Sequence, residues 1–375
     1  MNSIAIIGGG IGGVAAAVAL SKRGVHATVY ERTPRLAEVG AGMMLWPNAT
    51  RALQRLGLLE SVVSRSGHNT HFLVRGSCGK VLMNLAMGQL DAPALATRRS
   101  DLLSALLSAL PSERVSLGRE LTHLEPLGSG VRVHFAGGSV EQHCAVIGAD
   151  GIRSRVRAQL VGISDPVYRG YTIWRGVAPY AGHALRPGYN SETWGHGSRF
   201  GILDVGQGRY TWYATANALQ TDAGAPEQRK SELLRRFAQW HEPIPALIEA
   251  TDSILENGAF DLPPLPFWTT GRVTLLGDAA HPCTPNLGQG GCMALEDALV
   301  LAKCVSGQLS VESALQRYEA LRRRRTRHIQ QRSLWMGHIG QWQNRAAVAG
   351  RSVVTSLLPA ALFEHNLRRV YAYQT

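Results

Sequence analysis

Three glycines near the N-terminus have the spacing of a phosphate-binding turn. Gly8, Gly10 and Gly13 follow the short apolar run Ser3–Ile7, which predicts a buried strand, and precede an Ala/Val-rich stretch that predicts a helix. Glycines here allow a tight turn and a close approach of the backbone to a pyrophosphate, toward which the helix directs its positive end. A second predicted strand ends at Glu31, whose carboxylate can accept hydrogen bonds from ribose hydroxyls. The sequence therefore predicts a dinucleotide site, without distinguishing FAD from NAD(P).

Two later segments repeat the pattern of a predicted strand followed by a turn with an acidic residue. The first runs from Gly148 to Arg157 and contains the pair Asp150-Gly151. The second begins with the pair Gly277-Asp278. It continues into a predicted helix through Pro285, Asn286, Leu287, Gly288, Gln289, Gly290 and Gly291.

The three motifs, in this order, resemble those of the class A FAD-dependent aromatic hydroxylases, the p-hydroxybenzoate hydroxylase family. The resemblance covers nearly the whole chain, from Ser3 to about Arg325. The segments Gly40-Ala41-Gly42, Trp46-Pro47-Asn48 and Gly170–Gly176 are most similar to the salicylate, urate and zeaxanthin-type branch.

This resemblance implies an α/β fold in which a Rossmann-like FAD-binding domain carries an inserted antiparallel β-sheet substrate domain and is followed by C-terminal helices. It implies a monooxygenase that uses FAD, NAD(P)H and O2 to hydroxylate a small aromatic or heteroaromatic substrate through a flavin C4a-hydroperoxide. Three alternatives remain open: a tailoring oxygenase of a larger secondary metabolite, a flavin reductase or oxidase that releases peroxide, and a non-catalytic flavin-binding protein.

Apolar periodicity and turn residues divide the chain into predicted segments. The spacing of Leu53, Leu56, Leu59 and Val63 predicts one helix over residues 47–66. The predicted discontinuous FAD-binding domain consists of residues 1–70, 96–165 and 271–310, the predicted substrate domain of residues 71–95 and 166–270, and the predicted C-terminal helical region of residues 311–375.

The resemblance also assigns residues to the cofactor. Asp278 would bond the ribose or ribityl part of FAD, Gly288–Gly291 would open a helix toward the flavin ring, and Arg99, with Arg98 as the alternative, would contact FAD. Asp150 would serve both FAD and NAD(P)H, which in this family binds without a separate Rossmann domain. The residues predicted to bind cofactor are Gly8, Gly10, Gly13, Glu31, Arg32, Gly42, Arg99, Asp150, Gly151, Asp278, Pro285, Gly288, Gln289, Gly290 and Gly291.

The predicted substrate site is a sheet formed by residues 167–216, which by resemblance lies over the flavin. Alternation along this sheet places Thr211 and Tyr213 on one face, where they are catalytic candidates. Arg199 is a third candidate, because a guanidinium could pair with an anionic substrate or a phenolate. The sequence therefore favours a small, anionic aromatic substrate.

The identity of a catalytic base is open. Some relatives have Tyr or His where Thr211 falls, and threonine cannot act as a base at neutral pH. Tyr213, His196 or His281 would have to take that part, unless the substrate arrives ionised. We call Pro285–Gly291 the predicted flavin loop. His281, beside this loop, could relay a proton or hold the loop, and the second role is favoured.

The formal net charge of +12 invites a nucleic-acid interpretation. Residues 317–375 supply +9 of it, with eleven Arg and two acids, so the charge is concentrated in a C-terminal helical tail. The run Arg322–Arg327 is interpreted as a solvated or interdomain helix face rather than as a nucleic-acid or membrane patch. The charge then favours an acidic small molecule, and no nucleic-acid partner is expected.

The five cysteines are odd in number and show no CxxC spacing, so neither a disulfide framework nor a metal site is predicted. The apolar stretch Ile4–Leu20 contains five glycines, and residues 346–363 are interrupted by Arg351 and Pro359, so no transmembrane helix is predicted. We expect a cytoplasmic monomer or homodimer.

Overall fold

The computed structural model of the chain describes residues 3–36, 41–87, 90–163, 165–220 and 225–373, so Gly40 of the motif quoted above lies outside the described residues. The strands are β1 (Ile4–Ile7), β2 (Ala27–Glu31), β3 (Gly42–Leu45), β4 (Gly67–His68), β5 (His71–Gly76), β6 (Val81–Ala86), β7 (Leu95–Arg98), β8 (Val115–Leu117), β9 (Leu121–Leu127), β10 (Gly130–Phe135), β11 (Val140–His143), β12 (Ala145–Gly148), β13 (Val167–Pro179), β14 (Tyr189–Trp194), β15 (Ser198–Asp204), β16 (Arg209–Asn217), β17 (Leu255–Asp261), β18 (Thr269–Thr270) and β19 (Val273–Leu275).

The helices are α1 (Ile11–Ser21), α2 (Pro47–Arg55), α3 (Leu59–Val63), α4 (Arg99–Leu107), α5 (Arg155–Val161), α6 (Pro226–Phe237), α7 (Ile244–Glu249), α8 (Gly290–Val305), α9 (Val311–Gly340), α10 (Arg345–Leu357) and α11 (Ala360–Tyr371). Short 3-10 turns lie at Ser112–Arg114, Gly277–Ala279 and Pro285–Leu287.

A parallel sheet is built around the N-terminal apolar run. Its strand order is β18-β19-β12-β1-β2-β8, and only the edge strand β18 is antiparallel. All four residues of β1 are buried, as expected for a parallel strand covered on both faces. The glycine turn follows β1 at the carboxyl end of the sheet, and α1 packs against α8. This arrangement confirms the predicted Rossmann-like part of the fold.

A seven-stranded sheet forms the second layer, in the order β17-β13-β16-β15-β14-β5-β6. Neighbouring strands are antiparallel except β5 and β14, so the inserted sheet has the predicted character with one parallel pair. One face packs on α6 and α7 through an apolar cluster that includes Phe200, Trp212 and Phe237. Thr211 and Tyr213 alternate with these residues and therefore lie on the opposite face.

Two three-stranded sheets complete the framework, β11-β10-β9 and β3-β7-β4. In the second of these sheets, Gly42 on β3 pairs with Arg98 on β7. Arg99 therefore lies close to Gly42, and both residues are predicted to bind the cofactor. The predicted helix over residues 47–66 is wrong as a single helix. Gly57, with a φ of +69°, separates α2 from α3, because glycine adopts this left-handed conformation at little cost.

The strands distribute over the predicted domains in a simple way. The parallel strands of the first sheet fall within residues 1–70, 96–165 and 271–310, and all strands of the seven-stranded sheet fall within residues 71–95 and 166–270. The domain boundaries themselves stay a prediction.

The C-terminal region is helical. No single helix among the described residues is both long and apolar enough to cross a membrane. Helices α10 and α11 reach that length and composition only as a pair, with a bend of 98° between them.

Of the run Arg322–Arg327, interpreted above as a solvated or interdomain helix face, Arg322 and Thr326 are not solvated. Arg322 is fully buried, and its guanidinium donates to Asp297 Oδ1 and Glu296 Oε2, each at 2.6 Å. Both acids lie on the buried helix α8, where an unpaired carboxylate would be costly. We call Glu296, Asp297, His281 and Arg322 the buried ion cluster.

The buried ion cluster shifts the titration of its central acid. Burial alone would raise the pKa of Asp297, but the nearby charges of His281 and Arg322 and their hydrogen bonds outweigh burial and hold it at about 2. The ordinary value is 3.8, so ionised Asp297 stabilises the fold above pH 4, and this contribution is lost as the pH falls toward 2.

We predict that Asp297→Asn lowers the free energy of unfolding at pH 7 by roughly 2 kcal/mol, the order of magnitude that the pKa difference implies. At pH 3 the loss should shrink to about half, because the unfolded state then binds a proton that the native Asp297 does not. Urea unfolding of the wild type and the variant at both pH values measures this. Asp252→Asn, at an exposed acid, is the control and should change neither value. Equal losses at pH 7 and pH 3 would contradict the assignment.

Candidate active site

The glycine turn after β1 has a shape that only glycine allows at two of its positions. Gly8 has a φ of +115°, and a Cβ there would lie 2.3 Å from the carbonyl oxygen of Ala149. A Cβ on Gly13 would lie 2.0 Å from the carbonyl oxygen of Gly8. A Cβ on Gly10, by contrast, would meet no atom within 4 Å. The turn therefore has open space at Gly10, which the pyrophosphate of a dinucleotide could occupy.

Glu31 is fixed beside this turn. Its carboxylate accepts hydrogen bonds from the backbone N–H of Gly9 at 2.7 Å and of Thr33 at 2.9 Å. The exposed Arg32 follows it in the chain. The pair lies at the carboxyl end of β2, next to the turn, in the arrangement expected of a ribose site.

The side chain of Asp150 holds its own loop. It accepts hydrogen bonds from Ser154 Oγ at 2.5 Å and from the backbone N–H of Arg155 at 2.7 Å, at the start of α5. Burial raises the pKa of Asp150, and these hydrogen bonds lower it. Gly151, with a φ of +79° and open space around it, leaves its backbone accessible beside the glycine turn.

Thr211 connects the seven-stranded sheet to the predicted cofactor site. Its Oγ1 accepts from the N–H of Gly42 at 3.0 Å and donates to the carbonyl oxygen of Gly176 at 3.0 Å. A Cβ on Gly42 would lie 2.2 Å from the Thr211 methyl group. Thr211 therefore joins two chain segments, and its hydroxyl proton is already engaged.

The predicted flavin loop ends in a left-handed glycine. Gly288, with a φ of +60°, follows the turn Pro285–Leu287, and exposed Pro285 forms its outer surface. Gln289 is buried and accepts a hydrogen bond from Asn48, while its Nε2 has no partner among the described residues. A buried donor of this kind fits an acceptor on a bound cofactor.

Gly290 and Gly291 begin α8, and the absence of a side chain on Gly291 lets Met43 pack closely against the helix. A Cβ on Gly291 would lie 2.3 Å from the Met43 methyl group, and one on Gly290 would lie 3.8 Å from Asp278 Oδ1. Asp278 is accessible to solvent. Desolvation by the surrounding protein nevertheless raises the pKa of its carboxyl group, and the charges of His281 and Arg99 offset only part of this rise. Its carboxylate can therefore accept hydrogen bonds from ligand hydroxyls at the head of α8.

Arg199 is already paired. It is 4% exposed, and its guanidinium donates to Glu192 Oε1 at 3.0 Å, to Asn286 Oδ1 at 2.6 Å and to Gln341 Oε1 at 2.9 Å. These partners lie on β14, on the flavin loop and just after α9. Arg199 thus ties the sheet to that loop, and Asn286 also shares a hydrogen bond with Tyr171.

Tyr213 lies on the same face of the sheet, and its ring fits against Gly201, where a Cβ would lie 2.1 Å from it. Burial and a hydrogen bond with Glu192 hold the pKa of Tyr213 far above its ordinary value, although Arg199 lowers it. The phenol therefore keeps its proton at neutral pH, directs it at the Glu192 carboxylate and cannot act as a base.

His281 lies inside the loop rather than over the sheet. It is 1% exposed, its Nε2 donates to Asp297 Oδ2 at 2.6 Å, and its ring lies near Trp268. Its Nδ1 has no partner among the described residues. His196, the other histidine considered as a base, is exposed on the turn between β14 and β15.

Several polar residues of this site carried no assigned role in the sequence. Glu192 and Gln341 accept hydrogen bonds from Arg199, and only the folded chain brings them together. Arg175 on β13 pairs in register with Tyr213 on β16, so the two side chains lie on the same face of the sheet. Burial and the nearby charge of Arg99 both lower the pKa of Arg175. The period-2 alternation of β13 was the available signal for Arg175.

One group among the described residues could hold a metal ion. His123, Glu125 and His134 bring ligand atoms within 4.8 Å of one another on β9 and β10. The group lies on the three-stranded β11-β10-β9 sheet, and Glu125 is already paired with Arg132 at 2.7 Å.

Comparison with known proteins identifies the fold and the cofactor. Residues 1–333 match the family described as FAD binding domain. The chain is 38% identical over 373 residues to the aurachin C monooxygenase/isomerase of Stigmatella aurantiaca, covering 98% of this chain and 97% of that protein. It is 33% identical over 362 residues to the 6-hydroxynicotinate 3-monooxygenase of Pseudomonas fluorescens, covering 90% and 91%. The chain belongs to this FAD-binding family.

A solved structure of the family agrees over the whole length. The structure of HpxO from Klebsiella pneumoniae in complex with FAD and uric acid has a TM-score of 0.93 and 26% identity, over 99% of this chain and 97% of that one. The predicted resemblance, the fold class, the FAD cofactor with NAD(P)H as reductant, and the class of FAD-dependent monooxygenase acting on aromatic or heteroaromatic rings are confirmed.

We predict that Gly10→Ala and Gly13→Ala separate cofactor contact from folding. Gly10→Ala should leave the thermal stability of the apoprotein unchanged, because the methyl group meets no protein atom, and should lower FAD affinity at least about tenfold. Gly13→Ala should lower apoprotein stability as well, because its methyl group overlaps the Gly8 carbonyl. FAD titration and thermal unfolding of apoprotein measure both. Normal FAD affinity in Gly10→Ala would contradict the placement of the turn.

Proposed function

We propose that this FAD-dependent monooxygenase hydroxylates a small nitrogen heterocycle that carries an acidic hydroxyl or carboxyl group and enters the site already ionised. The observation that carries the proposal is the state of the candidate bases. The Thr211 hydroxyl is engaged with Gly176, Tyr213 stays protonated, and His281 is buried against Asp297. A substrate that ionises by itself, as hydroxypyridine and purine rings do, needs no proton acceptor from the protein.

The charges on the sheet support an anionic ring. Arg175 lies beside Tyr213 on the inner face, close enough to Arg99 for the two charges to interact. Burial of the Arg175 guanidinium and its repulsion by Arg99 both favour an anion beside Arg175. We propose that Arg175 pairs with the ionised substrate and that Tyr213, whose proton is held by Glu192, packs its ring beside it.

The remaining predicted catalytic residues take positioning roles in this proposal. Arg199 holds Asn286 and Glu192, Thr211 holds Gly42, and His281 holds the segment that carries Asp278. Bound FAD would accept a hydride from NAD(P)H and activate O2 for transfer of one oxygen atom to the ring. The protein would keep the ring in place and exclude water.

We also propose the cofactor contacts by segment. The glycine turn with Glu31 and Arg32 would bind the adenosine and pyrophosphate, together with Gly151 and Arg99. Asp278 would accept hydrogen bonds from the ribityl chain. The loop from Pro285 to Gly291, with Gln289 Nε2 as a buried donor, would hold the flavin ring.

One observation favours a second candidate, a substrate larger than a single ring. A groove of about 640 Å³ opens beside the flavin loop between the sheet and α9. It is lined by Tyr171 and Asn286 from the site and by the apolar Leu219, Leu334 and Trp342. An apolar substituent on the ring would fit there, and the relative named for aurachin C is 38% identical to this chain.

We place the enzyme in the cytoplasm, where NAD(P)H is supplied and where its five free cysteines stay reduced. The proposal includes no nucleic-acid partner and a monomeric or homodimeric state.

The proposal predicts how turnover depends on pH. For a panel of hydroxylated heterocycles of different acidity, the pH at half-maximal kcat/KM for NADH or NADPH oxidation should follow the pKa of each compound. One common pH for all compounds would instead reveal a base on the protein. Hydroxylated product and peroxide are measured together, and peroxide equal to the NAD(P)H consumed for every compound would favour the flavin oxidase alternative.

We predict that Arg175→Gln raises the KM for an anionic substrate about tenfold or more, because one charge-assisted interaction is lost. Its FAD affinity should stay within about twofold of wild type, since the arginine binds the substrate in this proposal. Arg209→Gln, at an exposed arginine on the neighbouring strand β16, is the matched control and should leave KM unchanged. A loss of FAD affinity without a change in KM would assign Arg175 to the cofactor.

A further inference from the structure

Helix α10 buries its central arginine, Arg351, and exposes Val353, Val354 and Leu357. Arg351, which is 5% exposed, donates hydrogen bonds to the carbonyl oxygens of Gly195, Ile339 and Gly340, and its guanidinium lies 4.9 Å from the ring centre of Trp194. A helix at a protein–water surface normally shows the reverse pattern, with its charged face toward solvent.

The outer face of α10 continues as an apolar surface through the turn into α11. Leu357 is 76% exposed, and the stretch of residues 352–363 contains no charged side chain. We call this surface the apolar corner; its large exposed residues are Val353, Val354, Leu357, Leu358 and Leu362. An apolar surface of this kind marks a place where another apolar phase is contacted.

Basic side chains flank the apolar corner on both sides in sequence. The exposed Arg345 precedes it, and the exposed Arg368 and Arg369 follow it on α11. Trp335 and Trp342, both exposed, lie shortly before α10. Exposed aromatic and basic residues next to an uncharged apolar surface are the composition of helices that lie in a membrane interface.

The charge distinguishes a lipid surface from a second copy of the chain. Three exposed arginines, Arg345, Arg368 and Arg369, and a single acid, Glu364, border the apolar corner, so a symmetric dimer through it would bring two positive borders together. An anionic bilayer offers both an apolar interior for the corner and negative headgroups for the flanking arginines.

We propose that the apolar corner docks the enzyme on the surface of an anionic lipid bilayer. The helices lie at the interface and do not span the bilayer, because α10 and α11 have 13 and 12 residues and are separated by a bend of 98°. Arg351 anchors α10 to the body of the protein, so that the corner stays exposed and preformed.

Vesicle co-sedimentation of the FAD-loaded full chain tests the proposal. Wild type should bind vesicles that contain phosphatidylglycerol more tightly than pure phosphatidylcholine vesicles, and high salt should weaken this binding about tenfold or more. The double variant Leu357→Glu/Leu362→Glu should lose binding to both. The matched control, Ile163→Glu/Leu309→Glu, changes two exposed aliphatic residues elsewhere and should bind like wild type.

Three results would overturn the proposal: no binding of wild type to anionic vesicles, unchanged binding of the corner variant, or equal loss in the control. A wild-type dimer that the corner variant splits, in the absence of vesicle binding, would assign the corner to a second copy. FAD content and NAD(P)H oxidation report whether the corner variant is folded. If it is not, Arg368→Gln/Arg369→Gln replaces it and should weaken binding to anionic vesicles only; unchanged binding there also overturns the proposal.

Discussion

The buried ion cluster is the interaction on which the cofactor site depends. Arg322 pairs with both Glu296 and Asp297 on α8, Arg325 adds a second positive charge beside Glu296, and each acid then organises a different part of the site. Asp297 holds His281 and the backbone N–H of Gly277, and so shapes the segment around Asp278. Glu296 accepts from Asn48, which in turn donates to Gln289 at the head of α8. Because the charges are buried, removing one partner would leave the others uncompensated.

A second set of contacts fixes the position of the seven-stranded sheet relative to the predicted cofactor site. The seven-stranded sheet and the parallel sheet belong to different layers, and side chains join them at the site. Thr211 bonds Gly42 on β3, and Arg199 bonds Asn286 on the flavin loop. The inner face of the sheet is therefore held against the loop by buried hydrogen bonds, whose replacement by water would be unfavourable. Tyr213 and Arg175, which lie on this face, are thereby fixed relative to the loop.

Local constraints were predictable from the sequence, and distant pairings were not. The glycine turn could be predicted because the close packing of the backbone at Gly8 and Gly13 leaves no space for a side chain. Strand β1 could be predicted because its burial on both faces requires a continuous apolar run. The burial of Arg322 depends on acids more than twenty residues away, and the sequence shows only a run of arginines. Glu192 likewise acquires its partners only when β14 pairs with β15.

The net charge shows why composition alone misleads about partners. Of the eleven arginines in the C-terminal segment, Arg322 and Arg351 are buried, the first against carboxylates and the second against backbone carbonyls. The positive surface is therefore smaller than the charge suggests, and it is divided: Arg323, Arg324 and Arg327 line a groove on α9, whereas Arg345, Arg368 and Arg369 border the apolar corner. A nucleic acid would leave such an apolar surface in water, whereas a flat anionic surface with an apolar interior satisfies both of its components.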